Sequence, residues 1–107
     1  MIREKKRYVL VEVLSSGEVE INEVLRSLKK EFLNFLGEKD FGKAKLRVIQ
    51  ATNKFVIFRV SHRFVDELKV CLSLMREVNN KFINLAVIYV SGSLKKLRKV
   101  LKEKGWS

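Results

Sequence analysis

The sequence contains no proline, one cysteine, one histidine, and about half as many acidic as basic residues, 12 against 23. Each shortage removes a class of function. A lone Cys71 makes neither an internal disulfide nor a cysteine-built zinc site, and it fits a reducing, cytoplasmic compartment. A lone His62 excludes RNA cleavage by paired histidines, the common way for side chains to supply two groups titrating near neutrality. The longest apolar run, Leu85 to Val90, has six residues, whereas a membrane span needs about 20. Behind the basic start only Tyr8 to Val11 are apolar before Glu12. That is too little for a secretory signal, so a soluble, unprocessed chain is expected. Neither a P-loop nor a GxGxxG pattern occurs.

What is present is enough for a core, together with a polarised excess of positive charge. With 107 residues, 47% of them apolar, one domain over residues 1–107 is expected, burying about two thirds of its unfolded surface. Residues 1–8 set Arg3, Lys5, Lys6 and Arg7 against Glu4. Residues 93–107 set Lys95, Lys96, Arg98, Lys99, Lys102 and Lys104 against Glu103. The two ends therefore carry +8 of the net +11. Charge placed this way points to a polyanion, nucleic acid before anionic lipid, with a solubilising surface as the alternative.

Periodicity supplies the elements. Arg7 to Leu14 (RYVLVEVL) has the length and Val content of a strand. From Ile21 the apolar positions Ile21, Val24, Leu25, Leu28, Phe32, Phe35 and Leu36 recur at three and four, which lines one side of a helix that Gly37 ends. Lys43 to Ala51 alternates Ala44, Leu46 and Val48 with Lys43, Lys45 and Arg47, as in a half-buried strand with a cationic face. Lys54 to Val60 reads as the next strand, joined to it by a Thr52–Asn53 hairpin turn. Val65, Leu68, Cys71, Leu72, Met75 and Val78 repeat at helical spacing, with Ser61 as a cap and Asp66 and Glu67 at the positive end of the helix dipole. Phe82 to Val90 is apolar at eight of nine positions, as expected of a central strand covered on both faces. Ser93 then caps a last helix whose inner side is Leu94, Leu97, Val100 and Leu101.

Strand, helix, strand, strand, helix, strand and an extra C-terminal helix is an α/β sandwich of the ferredoxin-like, RRM-like βαββαβ plan with an antiparallel sheet. That plan hosts many functions, so the residues must decide. In strand one, Val9, Val11 and Val13 face one way and Tyr8 and Leu10 the other. In strand three, Val56, Phe58 and Val60 oppose Phe55 and Ile57. Both sheet faces are apolar, and a last helix of about three turns covers only part of one. The remainder is expected to receive another subunit or a second copy of the chain.

The chemistry-bearing residues are few. His62 precedes the second helix beside Arg63, as a phosphate contact or a plain solvent-exposed residue. Cys71 falls on an apolar helix side and reads as a small core hydrophobe. Glu38 and Asp40 are two loop carboxylates without further magnesium ligands. No catalytic set and no protein-bound metal or cofactor is expected. RRM-type base stacking needs aromatics at even spacing on one strand face, and Phe55 and Phe58 are three apart. The last helix instead offers cations: Lys95, Arg98, Lys99 and Lys102 project on one stripe opposite the leucines, suited to phosphates.

Four segments together resemble a known family: the basic start running into RYVLVEV, FLGE at Phe35 to Glu38, VDELKVCLSLM at Val65 to Met75, and VSGSLKK at Val90 to Lys96. The chain resembles archaeal ribonuclease P protein component two, the Pop five family, in the same element order over nearly its whole length. Ser93 stands where that family often has Thr, a swap that keeps the N-cap. The resemblance implies a helper subunit of a ribonucleoprotein. Its RNA cuts the 5′ leader from precursor tRNA with RNA-held magnesium ions, and its protein pairs with the barrel-fold subunit, component three. Arg3, Lys5, Lys6, Arg7, Lys95, Lys96, Arg98, Lys99 and Lys102 would then neutralise RNA phosphates. A homodimer is a further possibility, and no membrane is involved. A stand-alone RNA-binding or regulatory domain of the same fold is the alternative reading.

Overall fold

A computed structural model describes residues 5–106. Arg3, one of the expected phosphate contacts, lies outside the described residues. In chain order the elements are β1 (Lys6–Ser15), α1 (Ile21–Leu36), α2 (Glu38–Ala44), β2 (Arg47–Ala51) and β3 (Phe55–Ser61). After a 3-10 turn at His62–Phe64 come α3 (Val65–Leu74), β4 (Glu77–Val78), β5 (Lys81–Ser91) and α4 (Leu94–Glu103). The strands pair antiparallel in the order β2-β3-β1-β5-β4. Without the two-residue β4, this is the expected βαββαβ sheet.

Strand alternation builds a core on each side of the sheet. Val9, Val11, Val56, Phe58 and Val60 point to the α1 and α3 side, where Val24, Leu28, Phe32, Leu68 and Leu72 meet them. Leu10, Phe55 and Ile57 point the other way and are covered by Leu97 and Leu101 of α4, with Trp106 beyond. Each fully buried Leu or Phe contributes about 1.5–3 kcal/mol of burial free energy. The side chain of Ser93 caps α4, accepting from the Lys96 N–H at 3.3 Å. Gly37 closes α1 at φ 84°, its N–H donating to the Leu33 carbonyl. Only glycine adopts its extended, positive-φ backbone without strain.

Several elements differ from their sequence patterns. The expected strand over Lys43–Ala51 begins only at Arg47, because Lys43 and Ala44 belong to α2, an extra helix. Phe41 of α2 meets Phe32 edge-on at 6.0 Å between centroids, Ala44 is fully buried, and Lys45 at φ 50° breaks the helix before the strand. Burial at 41 and 44 is helical spacing, which the alternation at 44, 46 and 48 concealed. The second helix stops at Leu74 rather than reaching Val78, and Val78 is buried from β4 instead. Asn79 and Asn80 turn that hairpin with φ of 51° and 65°, the two positive values of a type I′ turn, which Asn tolerates.

The apolar β5 is not central. β1 and β3 fill the middle of the sheet, and β5 carries only β4 on its outer side. Its second face is covered only in part: Ile88 and Tyr89 pack into the α4-side core, whereas Phe82 is 69% exposed. Apolar area does remain open, on the part of the second sheet face that α4 does not reach. α4 and Trp106 seal Leu10, Phe55 and Ile57, leaving Leu14 and Phe82 at the far end of the sheet. Phe35, assigned to the inner side of α1, is 51% exposed and borders a groove with Leu74 of α3, itself 67% exposed.

Candidate nucleic-acid interface

The antiparallel register brings distant cations to one end of the sheet. Lys6 pairs with Ser61, Tyr8 lies between Arg59 and Ser91, and Lys5 accepts the His62 N–H on its backbone carbonyl at 2.9 Å. The start of β1, the end of β3 with His62 and Arg63, and the β5–α4 junction with Lys95 and Lys96 therefore share one rim. Lys5, Lys6, His62, Arg63, Lys95 and Lys96 are all exposed there. The Arg7 guanidinium lies across the junction, 3.2 Å from where a Cβ on Gly92 would sit. Among the described residues, cations from the two ends of the sequence thus share one surface.

From that rim α4 carries the rest of the expected set. Leu97 and Leu101 dock inward, so Lys95, Arg98, Lys99 and Lys102 are left exposed on the outer stripe. Arg98 leans toward β2, its Nη1 3.5 Å from the Gln50 Oε1. Two further cations belong to this side and were missed as site residues: Arg47 and Arg59 sit directly opposite each other on β2 and β3. Arg47 was noted only as part of a cationic strand face. Pairing it with Arg59 requires the hairpin register, which a β2 bulge between Val48 and Gln50 shifts.

Carboxylates collect at the other end. Glu18, Glu20 and Glu23 line a groove with Lys81, whose ammonium donates to the Glu18 carbonyl, and the Asn79 amide donates to the Glu23 carboxylate. A molecule charged this way presents its basic end to a polyanion and keeps its acidic end away.

The groups considered for catalysis stay apart. His62 opens the 3-10 turn, Cys71 is buried on α3, and Glu38 and Asp40 lie in the first turn of α2. Burial, aided by the negative charge of Glu31, pushes the Cys71 thiol up to about 11, which makes it a poor nucleophile at neutral pH. Among the described residues no three His, Cys, Asp or Glu side chains gather where a metal ion could be shared. Nor is any helix among them long and apolar enough to cross a membrane. The sheet does not stack bases as an RRM does: Phe58 faces α1 and α3, and Phe55, 2% exposed, lies under Trp106.

The fold and the charge distribution define a ferredoxin-like protein with one cationic end, whose second sheet face is partly covered by a C-terminal helix. Comparison with known proteins narrows this. Residues 7–102 match the Rpp14/Pop5 family, and the chain belongs to that family. It is 34% identical over 97 residues to ribonuclease P protein component 2 of Methanococcus maripaludis strain C6, covering 91% of this chain and 75% of the relative. It is 33% identical over 108 residues to ribonuclease P protein component 2 of Pyrococcus horikoshii, covering 98% and 90%. Its fold is also that of a chain in the cryo-EM structure of yeast ribonuclease MRP, with TM-score 0.68 at 14% identity over 98% of this chain and 95% of the other.

Proposed function

We propose that this chain is a protein subunit of ribonuclease P, supporting the catalytic RNA while that RNA removes the 5′ leader from precursor tRNA. The observation that carries this reading is the convergence of cations from β1, the β3–α3 junction and α4 on one end of a member of the Rpp14/Pop5 family. Lys5, Lys6, Arg7, Lys95, Lys96, Arg98, Lys99 and Lys102, with Arg3 ahead of them, neutralise crowded phosphates, so that enzyme RNA, substrate and metal approach with less repulsion. The chain itself supplies no catalytic side chain and no cofactor, and the magnesium ions are held by the RNA. Its protein partner is the barrel-fold component 3. The exposed apolar residues Phe35 and Leu74, or Leu14 and Phe82, are available to that partner or to a second copy. Precursor tRNA is met through the RNA, in the cytoplasm.

The test is to isolate the tagged chain from its native cells and sequence the RNA that comes with it. Ribonuclease P RNA, together with a second ribonuclease P protein, is the expected result. A mixed RNA population without a partner protein would mark a stand-alone RNA-binding domain instead.

A further inference from the structure

Across the α4 side of the sheet, Arg47 of β2, Arg59 of β3 and Tyr8 of β1 occupy one cross-strand row. Directly opposed side chains have Cβ atoms about 4.5–5.5 Å apart, and like charges there are destabilising. The cost of setting two arginines opposite each other is one that an anion between their guanidinium groups would relieve. None of the described carboxylates pairs with either arginine. Glu12, on the same strand face as Tyr8, stands opposite Phe55, about 13 Å further along β1. The Nε of Arg59 is buried and has no hydrogen-bond partner, a donor held without an acceptor. Tyr8 is half-buried against the second core, so the third position of the row is held in place. Arg98 flanks the row through its approach to Gln50, the residue opposite Ile57 in the next row.

We propose that this row is a seat for one RNA backbone phosphate, gripped by the Arg47 and Arg59 guanidinium groups with the Tyr8 hydroxyl as a third donor. The inference rests on the RNA-binding reading above and makes it specific. Two guanidinium forks converging on one phosphate match the bidentate geometry that arginine, unlike lysine, provides. The seat lies between the basic rim and the α4 stripe. It directs the RNA strand from Lys5 and Lys6 across the edge of β3 and β2 toward Arg98, instead of along α4 alone. Occupancy also relieves the repulsion within the pair, so binding and local stability are linked.

The experiment uses the full chain, a ribonuclease P RNA transcript, and the variants Arg47→Gln, Arg59→Gln, their double, Arg59→Lys, and a quadruple alanine variant of Lys95, Arg98, Lys99 and Lys102. Each single Gln variant is expected to weaken RNA binding about tenfold and to lower the salt slope by about one. The double variant should lose less than the product of the singles, since both arginines serve one phosphate. Arg59→Lys, which keeps the charge and the fold but not the fork, should fall between wild type and Arg59→Gln. Without RNA, Arg47→Gln should melt higher than wild type, which a merely structural arginine would not do. Inorganic phosphate at fixed ionic strength should raise the melting temperature of wild type more than that of the double variant. If the double variant binds RNA like wild type while the quadruple variant does not, the seat is overturned and the RNA-binding reading stands. If both bind like wild type, the RNA-binding reading falls and the seat with it.

Discussion

Trp106 lies flat on Phe55, with ring centroids 5.5 Å apart and planes 4° from parallel. The contact pins the segment after α4 to the middle of the sheet, and Lys104 Nζ stands 5.3 Å from the indole centroid on the same short segment. Trp106 is the only tryptophan of the chain, so its emission reports whether α4 is docked. Trp106→Ala is expected to destabilise the protein by about 2 kcal/mol, less than a fully buried tryptophan would cost. Urea unfolding followed by circular dichroism checks this. Trp106→Phe should recover most of the loss, since a smaller ring can still stack. Full stability in the alanine variant would mean that Leu97 and Leu101 alone hold the helix.

Those two leucines set a second expectation, because they separate docking from charge. Leu97→Ala removes a fully buried side chain and should cost about 2–5 kcal/mol. Alanine at Lys95, Arg98, Lys99 and Lys102 touches only the exposed stripe and should leave the unfolding midpoint nearly unchanged. RNA affinity should show the opposite pattern at temperatures where both proteins are folded. For wild type, neutralising roughly four to six phosphates predicts a slope of log affinity against log salt of about −3 to −5. A slope near zero would remove phosphate contact as the main source of affinity.

The parts of this fold that were legible in the sequence are those where local pattern and tertiary context agree. α1 and α4 carry apolar stripes at helical spacing, and β1 and β3 alternate cleanly, so their faces and the Ser93 cap could be read directly. The strand over Lys43–Ala51 misled because Ala44 is buried by a helix, packed with Phe41 and Phe32, while still fitting an alternating series. β5 misled because a run apolar at all but one position signals burial on two faces, yet Phe82 is open. The asparagines at 79 and 80 were a turn signal that the apolar spacing of Met75 and Val78 masked. Of the candidate site, the charged termini were visible as composition. Their meeting, and the opposition of Arg47 and Arg59, is a product of sheet order and register, which no local pattern contains.

Gly92 gives a sharper test of the rim. A Cβ there would approach the Arg7 guanidinium to 3.2 Å, and the atom in the way is the end of a flexible side chain. Gly92→Ala should therefore change stability by less than about 0.5 kcal/mol while displacing Arg7. RNA affinity should drop by roughly the amount seen for Arg7→Ala, and the double variant should be no worse than either single. Additive losses would show that Gly92 acts on something other than Arg7.

Cys71 predicts a pH effect with a definite sign. Its thiol titrates at about 11 instead of the ordinary 9, raised first by burial and then by Glu31. Below pH 9 the thiol keeps its proton whether the chain is folded or unfolded, and its contribution to stability is fully present. Between 9 and 11 the unfolded chain gives up the proton first, so stability falls as pH rises. Urea midpoints measured over that range should decline more steeply for wild type than for Cys71→Ala. Native protein at pH 8 should react slowly with a thiol reagent and quickly once denatured. Rapid reaction of the native thiol would contradict its burial.

The remaining prediction concerns where catalysis resides. His62, Cys71, Glu38 and Asp40 lie on three different elements and assemble no base, nucleophile and oxyanion donor. Substituting His62 and Cys71 by Ala, and Glu38 and Asp40 by Gln and Asn, should keep precursor-tRNA cleavage by the reconstituted ribonucleoprotein within about tenfold, that is about 1.4 kcal/mol of barrier. Neutralising Arg3, Lys5, Lys6 and Arg7 should act differently, raising the magnesium concentration needed for half-maximal rate. Protein cations and metal ions screen the same phosphates, so extra metal should restore the rate. The comparison is made by measuring cleavage against magnesium for both sets, with the protein also assayed alone. A thousandfold loss in the first set, or 5′ cleavage by the protein without RNA, would move the chemistry onto this chain.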